Sequence, residues 1–291
     1  MQDADLTHRE PAAAVGSRPG KGRRIAFRVV ATLVALWFLA LNIFGLLELV
    51  VMWFPAETLA EMFEEETAYI DAHRAHFMAI GIVSWAVVLS TVVQLRKPER
   101  RVAPMLFLLT AASGGMVLFG LSGSLGEWLV EEIAMVVAPV VALAVLHPGR
   151  DRFFDRPRFD RPLLGLSALA ALPWLVFTGD NAWAQFTNAT GDPHAEAEHW
   201  ALAALLGVVI LAASVLGSSD HTGWRLPAWI AAGASVVFGA HSLVYPGAAS
   251  ALSAFWAVAA VIWGVVFAAR LIQRSRRGLE PVTDVETVPT R

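Results

Sequence analysis

Apolar stretches of membrane-spanning length recur along the chain at Arg28–Phe54, His76–Leu95, Val102–Leu121, Trp128–Leu146, Leu163–Thr178, His199–Leu216, Leu226–Tyr245 and Ala249–Ile272. A helix needs about 20 apolar residues to cross a hydrocarbon core, so the pattern predicts eight transmembrane helices, the fifth the shortest. The connections differ in character. Glu57–Glu66 reads as a short acidic amphipathic helix with Leu59, Met62 and Phe63 on one side. Arg96–Arg101 is a basic turn, His147–Pro162 alternates Asp with Arg, and Gly179–Gly191 is a polar and aromatic loop. Gly114, Gly115 and Gly120 in the third run are small residues that let helices approach closely. Residues 1–24 and 278–291 carry no apolar periodicity and read as disordered tails.

Composition agrees with this pattern. With 56% hydrophobic and 16% charged residues and a mean hydropathy of +0.57, the chain has too little polar surface for a soluble globule of its length. The fold class expected is an all-α polytopic membrane protein in a lipid bilayer. The first apolar run is far longer than a signal-peptide core and stays in the membrane.

Charge fixes the expected orientation, because cytoplasmic loops keep Lys and Arg while translocated loops lose them. With the N-terminus inside and eight spans, only Arg74 of the 22 Lys and Arg residues lies in an outer segment. Both termini are therefore expected on the cytoplasmic side of the plasma membrane. The net charge of −3 is divided between basic inner and acidic outer loops. The basic residues are explained by topology and anionic lipid, so nucleic acid is not implied.

The chain also matches itself. His76-Phe77 opens the second run as His199-Trp200 opens the sixth, and Leu118-Phe-Gly120 resembles Val237-Phe-Gly239. The division is a first four-helix half (25–147), a cytoplasmic linker (148–162) and a second four-helix half (163–277). Such a 4+4 repeat keeps one orientation in both halves, related by a pseudo-twofold axis along the membrane normal.

The chemistry-bearing residues gather at one depth. At about 1.5 Å of rise per residue, Glu48, His76, Glu131, His199 and His241 all stand roughly 24–30 Å above the inner face, near the outer surface. Asp71-Ala-His73-Arg74-Ala-His76-Phe77 and Asp192-Pro-His194-Ala-Glu-Ala-Glu198-His199-Trp200 open two of the helices. His73 and His76 are spaced i,i+3, and His194 and Glu198 i,i+4, so each pair shares a helix face. Ordinary structural roles exist for all of them. Asp192-Pro193 is an N-cap followed by proline at the first helical position, and Glu196 and Glu198 suit a helix N-terminus. Glu48, Glu131 and Glu132 suit an interface wetted by headgroups, and His241 suits a helix–helix hydrogen bond.

Neutral imidazole is the commonest biological metal ligand and also an axial ligand to haem. The chain has no cysteine, so a metal must be held by His and carboxylates. The ligands expected are His76 and His199, with His73, His194 and His241 as alternatives. Asp71 or Glu198 would orient an imidazole, Arg74 would pair with Glu198 or a cofactor carboxylate, and Glu131 and Glu48 would stand nearby. No strict motif such as H-E-x-x-H occurs.

Asp71-Ala-His73-Arg74 resembles the acidic–x–x–His–Arg opening of the second helix in the heme A synthase family, one residue shorter. Ser113-Gly-Gly-Met-Val-Leu-Phe-Gly-Leu121 followed by Trp128-Leu-Val130 resembles that family's turn from third to fourth helix. The resemblance implies eight spans in two four-helix halves, with haem bound by histidines at the outer ends. Ile133 and Phe255-Trp256 occupy the neighbourhoods where the family's fourth and eighth helices carry histidines.

The leading expectation is thus an outer-face His/carboxylate site for haem or for Zn or Cu, used in redox or cofactor handling. A metal-free variant would use the same groups for acid–base work. The alternatives are a proton-coupled transporter or permease, whose site usually lies near the midplane, and a non-catalytic assembly or sensor subunit with merely solvated acidic loops.

Overall fold

The computed structural model describes residues 20–121, 133–187 and 192–277. Among these, seven helices are long and apolar enough to cross a membrane, and one shorter apolar helix, Ala134–Leu146, ends where the predicted fourth span ends. The remainder of that predicted span lies outside the described residues. Helix is the expected solution in lipid, where no water is present to satisfy backbone N–H and C=O groups.

In chain order the helices are α1 (Lys21–Leu41), α2 (Ile43–Val51), α3 (Ala56–Phe63), α4 (Thr67–Val92), α5 (Val102–Leu121) and α6 (Ala138–Leu146). They continue with α7 (Arg161–Thr187), α8 (Pro193–Glu196), α9 (His199–Ser218), α10 (Arg225–Val244) and α11 (Ala254–Arg277). The spans containing α4, α5, α9 and α10 are 61–67% covered by protein, whereas α1, α7 and α11 are covered over only 28–33%. The first four are therefore the interior of the bundle, and the other three present their apolar sides outward.

Two boundaries and one buried face differ from the sequence pattern. The first run is two helices, because Asn42 donates its side-chain amide to Phe38 O at 2.9 Å and leaves helical geometry. A side chain that competes for backbone partners interrupts a helix in this way. The break lets α2 lie against α4 backbone to backbone: a Cβ on Gly81 would meet Leu49 N at 2.8 Å and Gly45 O at 2.9 Å. The seventh helix runs on to Thr187, so most of the predicted outer loop is helical. Its polar residues Asn181 and Gln185 lie one turn apart and are buried, while Trp183 and Phe186 face outward. In α3 only Ala56 and Leu59 are buried; Met62 and Phe63 are exposed, contrary to the one-sided expectation.

The arginine-rich end of the bundle is tied together by its loops. Asp160 N donates to Ser218 O at 2.8 Å, Asp220 N to Arg158 O at 2.9 Å and Ala103 N to Thr222 O at 3.0 Å. Arg274 reaches Gly217 O and Ser219 O, and Arg23 reaches His147 O. These arginines satisfy carbonyls left over at loop and helix ends. His147 is fully buried there, accepting Gly149 N on Nδ1 at 3.0 Å and facing Gln94 Oε1 through Nε2 at 3.2 Å. Burial first, then the Arg152 and Arg23 charges, push its pKa down to about 4, so the ring is neutral.

Candidate functional site

Two of the predicted ligands come from one face of α4. His73 and His76, three residues apart, project together near its N-terminal end, both buried. The other two come from the α8–α9 corner. The helix expected to run without interruption from Asp192 breaks at Ala197-Glu198, where Glu198 takes a left-handed conformation with φ 57°. In an unbroken helix positions five apart diverge by roughly 140°. The break instead brings His194 and His199 to a common centre.

The four rings form a single cluster. Ring centroids lie 4.1 Å apart for His73 and His194, 5.1 Å for His73 and His199, and 5.2 Å for His76 and His194. The remaining pairs are His76 and His199 at 5.6 Å, His73 and His76 at 6.2 Å, and His194 and His199 at 6.3 Å. Trp200 walls one side, its ring edge-on to His76 at 4.8 Å. Phe77 closes another, 5.7 Å from His73 and 5.4 Å from His199.

Hydrogen bonds fix the protonation pattern of three of these rings. His73 Nδ1 lies 2.8 Å from Tyr69 O, a carbonyl that can only accept, so Nδ1 carries the proton. His194 Nδ1 lies 3.0 Å from Asp192 Oδ1 and donates to it. His76 Nε2 lies 2.7 Å from Ser250 Oγ, and the serine hydroxyl in turn donates to Asn181 Oδ1. Asn181 is oriented by donating its amide to Phe177 O at 2.8 Å. Ser250 therefore accepts from His76, and His76 is the Nε2–H tautomer. The nitrogens left with lone pairs are His73 Nε2, His76 Nδ1 and His194 Nε2. Each is buried and without a hydrogen-bond partner, as is His199 Nδ1.

The α8 corner is held from several sides. Asp192 Oδ1 also accepts His194 N at 2.9 Å, and Asp192 Oδ2 accepts Trp200 Nε1 at 3.2 Å. Partial desolvation pushes the Asp192 carboxyl up, but the main-chain and ring hydrogen bonds from His194 and the one from Trp200 outweigh it and hold the pKa below the ordinary aspartate value. Gln185 bridges the corner to α7, donating to Ala195 O at 2.8 Å and accepting Ala201 N at 3.2 Å.

Other predicted residues fall elsewhere. His241 is fully buried between Trp53 at 5.2 Å and Tyr245 at 4.9 Å, and makes no ring contact with the four. Arg74, only 1% exposed, does not pair with Glu198. It pairs with Asp71 at 2.8 Å, donates to Met52 O at 3.0 Å and Phe54 O at 2.9 Å, and lies over the Tyr245 ring. Asp71 is thereby engaged by Arg74 rather than by an imidazole. The Glu198 carboxylate takes no hydrogen bond from any of the four rings, because the left-handed corner removes the shared face. Glu48 sits on α2 with Oε2 buried and unpartnered. Glu131 lies outside the described residues.

No periodicity or charge pattern points to Ser250 and the Tyr69 carbonyl, which contact the rings, to Asn181, which acts through Ser250, or to Gln185, which holds the α8–α9 corner. The Asp-Pro pattern marks Asp192 as a cap; an Asp side chain also bonds locally two residues on, as it does here to His194.

Among the described residues no group of three or more His, Asp or Glu side chains is already posed to hold an ion. His73 and His194 lie stacked face to face at 8°, so their lone pairs run side by side instead of converging. An ion bound at 2.0–2.1 Å by four imidazoles sets the ring centroids about 5 Å from one another. The observed separations run from 4.1 to 6.3 Å.

The class is that of an all-helical protein with, among the described residues, seven apolar helices suited to crossing a membrane and a largely buried histidine cluster at one end of the bundle. No protein-family model, curated protein or solved structure matches the chain.

Proposed function

We propose that this chain spans the plasma membrane eight times in two four-helix halves, with both termini cytoplasmic, and binds a transition-metal ion through His73, His76, His194 and His199 at its outer face. The observation that carries the reading is the agreement between tautomer and orphaned atom. In three rings the nitrogen freed by an outward hydrogen bond is the buried, unpartnered one. Protein metal sites are built in this way, with the far nitrogen of each ring donating to a carbonyl, carboxylate or other acceptor. A wholly imidazole set suits Zn²⁺ or Cu²⁺.

A bare ion fits better than haem. The rings touch one another, and a macrocycle would have to enter between rings already in contact. The meeting of His76 with His199 supports the repeat, since twin positions about a pseudo-axis between α4 and α9 would meet there. The ion would serve redox or cofactor handling at the outer surface. The test is elemental analysis of the purified protein after Zn²⁺ or Cu²⁺ supplementation, with Co²⁺ substitution to report nitrogen coordination through its visible d–d bands. Stoichiometric metal lost on His76→Ala or His199→Ala is expected. Absence of stoichiometric metal in the parent protein overturns the reading.

A further inference from the structure

The four imidazoles of the cluster differ in their exposure and in what holds them. His73 and His76 sit on the long helix α4 and are 3% and 0% exposed, and His199, at 8%, is the first residue of α9. His194 sits on α8, a helix of four residues, and its side chain is 18% exposed. The side chain of Asp192, its hydrogen-bond partner, is 24% exposed. Of the four rings, His194 is therefore the one through which the cluster meets the outside.

The stack of His73 on His194 gives this difference a consequence. With centroids 4.1 Å apart and planes at 8°, the two Nε2 lone pairs run parallel, so a single ion is not met by both rings where they stand. His73 is the less free of the two. Tyr69 stacks on it at 3.9 Å, and its Nδ1–H is tied to the Tyr69 carbonyl one turn back on the same long helix. His194 is tied to Asp192, two residues before it at the start of a four-residue helix. His73, His76 and His199 are thus a firmly held set of three, and His194 is the ring that can leave.

Charge selects what takes its place. Imidazoles bind a metal in their neutral form, so a divalent ion brings two positive charges into a largely buried site, where uncompensated charge is costly. Among the described residues Asp192 is the carboxylate hydrogen-bonded to the cluster, and it offsets one of the two. Exchange of the neutral His194 ring for an anion offsets the other.

We propose, resting on the metal reading above, that His194 is an exchangeable ligand and that the position it vacates takes a small anionic donor, such as a carboxylate, from the outer side. His73, His76 and His199 keep the ion meanwhile. Three histidines with one open position are the ligand set of a site where a metal acts on what it binds, whereas four permanent protein ligands are that of a structural site.

The test uses the detergent-purified full chain loaded with Co²⁺, with azide as the anion, because an azide charge-transfer band reports its bond to the ion. Elemental analysis follows the metal throughout. Azide is expected to give the band in wild type with Co²⁺ retained, and in His194→Gly at an at least tenfold lower azide concentration, since the position is already open there. No band in Co²⁺-loaded wild type, or equal azide affinity in the two proteins, overturns the exchange. Added imidazole is expected to restore Co²⁺ affinity in His194→Gly and not in His73→Gly. Equal restoration in both, or none in either, overturns the assignment to His194. A parent protein that takes up no Co²⁺ overturns the metal reading itself, which keeps the two failures distinct.

Discussion

Replacing Ser250 with glycine isolates the hydrogen bond that orients His76. Ser250 holds φ at 63°, a conformation that glycine adopts freely and other residues adopt at a cost. The substitution therefore removes the hydroxyl without straining the turn. His76 is fully buried, and its Nε2–H would lose its acceptor at 2.7 Å. A metal-bound imidazole needs that acceptor more than a free one does, because the ion draws electron density from the ring. Loss of such an outer partner lowers metal affinity by about 10–100-fold, which is about 1.4–2.7 kcal/mol at 25 °C. The assay is competition titration of Zn²⁺ into purified wild-type and Ser250→Gly protein, with melting of the metal-free forms as a control. The expected result is a weakened Kd with an unchanged or slightly raised metal-free melting temperature. A Kd within twofold of wild type, while His76→Ala abolishes binding, would refute the tautomer-fixing role of Ser250.

Three further outcomes follow from the same geometry. Alanine at His73, His194 or His199 is expected to weaken Zn²⁺ binding at least tenfold, whereas His241→Ala leaves Kd unchanged; equal losses at His241 and His199 would count against the four-ring assignment. Arg74→Met is expected to destabilise by about 1–3 kcal/mol, since it leaves the buried Met52 carbonyl without its donor while Asp71 stays solvated; a thermal melt within 1 °C of wild type would contradict this. His147, with its folded pKa lowered to about 4, contributes stability present above its unfolded value of about 6.5 and lost as pH falls toward 4. By linkage the loss amounts to a few kcal/mol. Comparing melting at pH 7 and pH 5 should therefore show a smaller drop in His147→Gln than in wild type, and identical drops would remove His147 from the account.

Much of the architecture is written in hydrophobic run length, because lipid leaves helix as the only conformation for an apolar stretch. The chain's helix boundaries depend on subtler chemistry. Asn42 breaks a run that hydropathy reads as continuous, and Asn181 and Gln185 extend a helix through residues that look like loop. The same split holds at the site. His76 and His199 were legible as residue types at a shared depth, and His73 and His194 as alternatives at the openings of the same helices. Their convergence was not, since it depends on a left-handed corner at Glu198 that neither charge nor periodicity announces. Ser250 lies 174 positions from the ring it orients, and no local pattern connects the two.

The convergence of α4 with the α8–α9 corner also bears on mechanical strength. His73 and His194 are 121 positions apart in a chain with no cysteine. An ion shared between them would close a loop of that length as a disulfide does elsewhere, and closing a loop of about 100 residues is worth about 5 kcal/mol in the chain-entropy account. Unlike a disulfide, this clasp would be insensitive to thiols and would open with a chelator. Pulled from its ends, the protein would yield at one force with the ion in place and at a lower force once the ion is stripped.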